Sequence, residues 1–230
     1  MHLFFDFLAY FVAWAVMRLW FQNPQQGREE KDAHYVLVLI IGFVSGAVLF
    51  STLNNLLSTG MFVLGKSIIG ALAGAIIAVE IFKRYYHIEG STGAYFVPSL
   101  AIGIAIGRIG CFLTGLEDYT YGTPTNVPWG VDFGDGIIRH PVQLYESAAM
   151  FGFFLFSLWL YRRNRRYFET KVFYIFVFFY ALQRFVWEFF KPYANVAFGL
   201  NIFQLVALIL IVYAMTNLKR SAYGTLYTKV

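Results

Sequence analysis

The chain has 230 residues, of which 59 % are hydrophobic, 20 % aromatic and 13 % charged, with a formal net charge of +5. That balance excludes an ordinary soluble domain, and a lone cysteine, Cys111, excludes an internal disulfide framework. The positive residues gather at the ends of apolar stretches, which points to anionic lipid surfaces and not to nucleic acid.

The first apolar stretch, about residues 3–22, lacks a basic leader and a small-residue cleavage site and is expected to be a retained helix. Six more follow at about 36–57, 61–82, 93–113, 142–161, 171–190 and 198–215. Each is near the length that crosses a hydrocarbon layer of ~30 Å. Over 36–82 a re-entrant hairpin rivals two full spans. The expected architecture is an all-α integral membrane protein, one polytopic domain over 1–230 folded as a seven-transmembrane-helix bundle, with a long loop over 114–140 between helices 4 and 5.

Charge sets the orientation. With the first helix running inward, thirteen of the 18 lysines and arginines fall on the inner side, among them Arg162, Arg163, Arg165 and Arg166. Only Lys66, Arg139 and Lys191 fall outside. The bias predicts an outer amino terminus, an inner carboxyl terminus and an outward-facing 114–140 loop, its acids set against Arg139.

Charges inside apolar stretches are expensive and need a partner or a task. Arg108 follows a GxxxG pair, Gly103 and Gly107, which lets a helix or a lipid approach the backbone. It is either a packing-motif arginine that snorkels to the interface or a guanidinium that grips phosphate through paired donors. Arg184 and Glu188 share a helical face four residues apart. They either neutralise each other or form a cradle in which Glu188 holds Arg184 beside Arg108.

The run HPVQLYES, residues 140–147, reads as a helix start, with Pro141 in the first turn and Gln143, Tyr145 and Glu146 close behind. Glu146 suits the helix dipole, and His140 is a candidate proton carrier. Cys111 lies one turn after Arg108 and reads as a small apolar filler more readily than as a nucleophile. Glu80 sits near the inner end of the third stretch, where it is expected to be solvated. No CxxC, HExxH, P-loop or GxSxG pattern is present, so no metal or cofactor is expected.

In order and spacing, GRIGCFLTG (107–115), TPTNVPWGV (123–131) with RHPVQLYE (139–146), and RFVWEFFKP (184–192) resemble the bacterial prolipoprotein diacylglyceryl transferase family. The resemblance covers roughly 60–215. It implies a seven-helix enzyme of the bacterial inner membrane whose site opens outward and toward lipid. The implied reaction moves diacylglycerol from phosphatidylglycerol to the lipobox cysteine of a preprolipoprotein and releases glycerol 1-phosphate. Arg108 matches the arginine of the family's GRxGNF motif, Arg184 and Glu188 its RxxxE pair, and Gln143, Tyr145 and Glu146 its QLYE. By the same matching, Gly107, Gly110, Cys111 and Glu117 are substrate-binding candidates, with Asp118 an alternative to Glu117.

Two departures stand out. Cys111 replaces the motif asparagine, and the SFHGGL motif appears as SIIGAL (67–72), with Ile69 in place of histidine. The second departure opens an alternative, a same-fold transferase with an anionic phospholipid donor and a glycan or lipid acceptor. A third reading is a non-catalytic lipid-binding or transport protein.

Overall fold

The computed structural model describes residues 2–20, 29–191, 193 and 195–227. These form seven helices: α1 (His2–Trp20), α2 (Glu29–Thr59), α3 (Ile68–Tyr85), α4 (Val97–Thr114), α5 (Val142–Arg163), α6 (Arg165–Glu188) and α7 (Ile202–Tyr227). The only strands among the described residues, β1 (Val131–Asp132) and β2 (Ile138–Arg139), pair antiparallel within the loop between α4 and α5. Four segments, 33–57, 94–118, 142–163 and 202–220, are long and apolar enough to cross a membrane. The bundle wears its apolar side chains outward as well as inward: Phe4, Phe7 and Phe11 on α1 and Ile209 and Val212 on α7 are all more than 60 % exposed. A surface of that kind is stable in lipid, not in water.

Several boundaries differ from the sequence expectation. The end of the first stretch, residues 21–22, lies outside the described residues. Helix α2 is longer than 36–57. It ends where Gly60 takes a φ of +71°, a conformation glycine adopts without strain. The third stretch is not helical from 61. Residues 62–67 run extended back along α2, held by a bond from the Ser67 amide to the Ala47 carbonyl and one from the Asn55 side chain to the Val63 carbonyl. Ser67 then caps α3, its hydroxyl accepting from the Gly70 amide. Between residues 36 and 82 the chain forms two antiparallel arms, α2 and the segment 62–85, the second of which starts unwound.

Helix α6 starts at 165 instead of 171, because Asn164 accepts from the Tyr167 amide and caps it; the arginine run is a seam between two helices and not a loop. Helix α7 starts at 202 instead of 198 and runs well past 215. Its start is a reciprocal capping box in which the Asn201 side chain accepts from the Gln204 amide and Gln204 accepts from the Asn201 amide.

Helix pairs α2–α3, α1–α4, α4–α5, α5–α6 and α6–α7 pack directly. The closest of these contacts is made of glycine. A Cβ at Gly46 would come within 2.4 Å of the Gly70 carbonyl oxygen, and one at Gly74 within 2.2 Å of that of Gly42. Two GxxxG faces therefore meet backbone to backbone. The core is centred on Ile69, Val97, Met150, Phe168, Phe176, Val177 and Ala207, all fully or almost fully buried.

Helix direction sorts the ends of the bundle. The ends of α4 and α6 and the starts of α5 and α7 meet beneath the 115–141 loop. The opposite end collects exposed Arg84, Arg162, Arg163, Arg166, Lys219 and Arg220.

Candidate active site

Below the loop, four elements deliver charged groups to one buried point. Glu146, in the first two turns of α5, is 3 % exposed. One of its carboxylate oxygens meets the Arg108 Nε of α4 at 2.6 Å. The other takes the Arg184 Nη1 of α6 and the Lys191 Nζ, each at 2.7 Å. Glu188 binds Arg184 at 2.7 Å, lies 3.6 Å from Lys191, and accepts from the Asn201 side chain at the start of α7. The Arg184 guanidinium also lies over the Phe203 ring, 5.6 Å from its centre.

The sequence-derived candidates thus largely converge. Arg108 does not snorkel to an interface; it is 6 % exposed and spent on Glu146. The two halves of the glycine pair part company. Gly103 packs on Ala13 of α1, whereas a Cβ on Gly107 would meet nothing within 4 Å, which leaves open space one residue from the arginine. Gly110 is buried, its carbonyl taking the Thr114 hydroxyl, and Cys111 Sγ lies 3.9 Å from an Arg108 nitrogen. Glu117 is exposed in the turn after α4, and Asp118 is the acid beside Cys111.

Gln143 is wholly buried, and neither its amide oxygen nor its nitrogen has a partner among the described residues. It lies one turn before Glu146 on the same face. Tyr145 accepts from the Trp129 indole at 2.7 Å and packs on Trp187, forming an aromatic cover over this end. His140 belongs to that cover, 3.4 Å from the Tyr145 hydroxyl and edge-on to Phe190, not to the ion cluster. The loop is stitched down by the Thr123 amide on the Phe190 carbonyl and the His140 amide on the Thr123 carbonyl.

Lys191 was counted on sequence as an outer-loop cation. It is buried, and its three-residue offset from Glu188 was the available sign of it. Asn201, Tyr180 and Trp187 also escaped the sequence reading. Tyr180 Oη, Trp187 Nε1 and Arg184 Nε are buried without a partner among the described residues. Glu80, expected in solvent, keeps 37 % of its side chain exposed while it accepts from Lys83 and Tyr213. Ile69 is fully buried in the core, so no titratable group stands at that position.

The cluster carries three cations against two carboxylates, with several idle donors around it. A model of the prolipoprotein diacylglyceryl transferase family fits residues 4–219. The chain belongs to that family. Among similar proteins are the phosphatidylglycerol–prolipoprotein diacylglyceryl transferases of Geobacter sulfurreducens, 36 % identical over 66 % of this chain and 60 % of the relative, and of Finegoldia magna, 31 % identical over 64 % and 58 %. That of Campylobacter lari is 35 % identical over 64 % and 54 %. The chain thus spans between half and two thirds of the length of these relatives. No solved structure matches it.

Proposed function

We propose that this chain is a phospholipid-dependent transferase that moves diacylglycerol from phosphatidylglycerol to the lipobox cysteine thiol of a preprolipoprotein. The observation that carries the reading is the charge of the buried cluster. Arg108, Arg184 and Lys191 face Glu146 and Glu188, one positive charge in excess. A buried charge of this kind is costly unless it is neutralised, and a phosphodiester supplies one negative charge and several acceptor oxygens. The unpartnered donors of Arg184, Gln143 and Trp187 suit those oxygens.

The step is a displacement at the glycerol carbon. The thiol sulfur forms a C–S bond, the bond between that carbon and the phosphate oxygen breaks, and glycerol 1-phosphate leaves with the electron pair. Arg108 and Arg184 hold the charge that develops on the leaving phosphate, as preorganised donors do in water-poor sites. Glu146 and Glu188 have their oxygens taken up by cations and Asn201, and act as anchors that fix the arginines. The thiol proton goes to the departing phosphate. His140 closes the roof with Tyr145 and Phe190, and Gly107 leaves the lipid room beside Arg108. No metal or cofactor enters the scheme.

In this reading all seven helices lie in a bacterial inner membrane as one domain. The amino terminus is outside, the carboxyl terminus inside, and the site opens to the outer face beneath the 115–141 loop. The exposed arginines and lysines at the opposite end support that orientation.

A second reading keeps the donor and changes the acceptor to a glycan or a lipid. It rests on Ile69, which puts an apolar, fully buried side chain where the family motif has a histidine. Purified protein with labelled phosphatidylglycerol and a lipobox peptide decides between them. Diacylglyceryl-peptide seen by mass spectrometry supports the thiol acceptor. Consumption of the lipid without a peptide product selects the second reading.

A further inference from the structure

A cavity of about 230 Å³ lies between α2, α3, α4, α6 and α7, apart from the ion cluster, with lining residues one helical turn from Arg108 and Arg184. Its sides are almost wholly apolar, formed by residues such as Leu72, Ala75, Ile76, Val79, Leu100 and Ile104. One end is marked by Tyr180, one turn before Arg184 on α6, and by Ile104, one turn before Arg108 on α4. The Tyr180 hydroxyl is buried without a partner among the described residues and feels the charges of both arginines.

The other end is polar. Glu80 accepts from Lys83 at 2.9 Å and from Tyr213 at 2.7 Å, and Tyr35 is bonded to Thr92 at 3.0 Å. The Glu80–Tyr213 bond joins α3 to α7 and the Tyr35–Thr92 bond joins α2 to the segment before α4, and together they give this end of the cavity a charged, partly exposed floor. From Arg108 to Phe96 along α4 is twelve residues, roughly 18 Å. From Arg184 to Phe173 along α6 is eleven, roughly 16 Å. Half of the hydrocarbon core is about 15 Å deep, the reach of one leaflet's chains. On the α2 side the lining residues Ile40 and Phe43 are 52 % and 41 % exposed, so the wall is thin toward the surrounding lipid.

We propose that this cavity is a slot for one acyl chain of the donor phospholipid, and that the Glu80–Lys83–Tyr213 floor sets the chain length accepted. It rests on the headgroup reading above, since a phosphate held by Arg108 and Arg184 places the chain at the Tyr180 end. The apolar walls take methylenes without a polar penalty, and the floor refuses a longer tail because its charged pair would lose its polar surroundings. Specificity for chain length then resides in the level of the slot at which α3 side chains intrude. Along α3 toward the floor these are Leu72, then Ala75, then Val79.

The test uses the full chain with dilauroyl or dipalmitoyl phosphatidylglycerol, reading both turnover and, by native mass spectrometry, the ratio of the two lipids bound from an equal mixture. Ala75→Phe fills the middle of the slot and is expected to lower the dipalmitoyl-to-dilauroyl ratio about tenfold or more in both readouts. Val79→Phe, one turn nearer the floor, is expected to lower it less and, if Ala75→Phe fails to fold, decides the matter alone. Equal loss of both lipids, or no change in their ratio, overturns the slot. A chain that binds lipid with the expected ratios but turns over neither leaves the slot standing and removes the transferase reading. Turnover that is indifferent to chain length in the variants does the reverse.

Discussion

At the loop end of the bundle, Arg108, Arg184 and Lys191 are buried against Glu146 and Glu188, with side-chain exposures of 7 % or less. At the opposite end, Arg165 pairs with Glu169 at 3.2 Å while half and two fifths of the two side chains remain exposed. The residue types are alike, but the exposed pair is longer and its surroundings are wet. An exposed pair gains little, because water and salt screen it and two long side chains lose freedom. A buried set cannot be left half made, because each uncompensated charge has no water to turn to. The exposed arginines therefore read as anchors against anionic lipid, and the buried ones as a site held ready for an anion.

Removing the hub of the buried set is the strongest way to break this contrast. Glu146→Gln leaves three cations facing Glu188 alone and is expected to cost about 3–5 kcal/mol in denaturant or thermal unfolding in detergent. A loss under about 1 kcal/mol would mean that water already reaches the cluster. Lys191→Met is expected to cost less stability but to remove the surplus charge. Retention of phosphatidylglycerol through purification, followed by lipid mass spectrometry, should fall accordingly, and unchanged retention would take Lys191 out of the anion site. At the other end, Arg165→Ala is expected to change stability by about 1 kcal/mol or less. A cost equal to that of Glu146→Gln would erase the distinction between the ends.

The smallest effect is in the loop. There the Arg139 guanidinium donates to the Asp135 carboxylate and holds its pKa below the usual value. Because the folded value is the lower one, the pair's contribution is present above about pH 4, where the carboxyl of the unfolded chain ionises. It is lost as pH falls through the folded value. Amide exchange of the β1–β2 turn should therefore speed up in acid, and Asp135→Asn should abolish that transition. An identical transition in the variant would assign it to another group.

The helical character and most of the site were legible because they are written in local patterns. Apolar runs marked the helices, and charges within such runs marked Arg108, Arg184 and Glu188. What escaped depended on partners distant in sequence. Glu146 was legible as a candidate through the QLYE match and its place near a helix start, but its part as hub of the cluster shows only with α4, α6 and the 189–191 turn around it. Lys191 looked solvated because Glu146, the carboxylate that receives it, lies 45 residues earlier in the chain. The late starts of α3 and α7 were readable in principle, from Ser67 after two glycines and from the Asn201–Gln204 box, but hydropathy overrode both cues. The glycines of α2 and α3 carried a GxxxG pattern whose meaning appears only when the two faces meet.

The most direct measurement is phosphatidylglycerol-dependent formation of diacylglyceryl-peptide by Arg108→Ala and Arg184→Ala protein, with membrane insertion checked in the same samples. Each variant leaves Glu146 two cations, so the bundle should still form. Turnover is expected to fall at least about 10²–10³-fold in each, the scale on which a preorganised charge-stabilising donor acts. Turnover close to that of the unaltered chain in either variant would remove that arginine from the chemistry and leave the cluster a structural ion network.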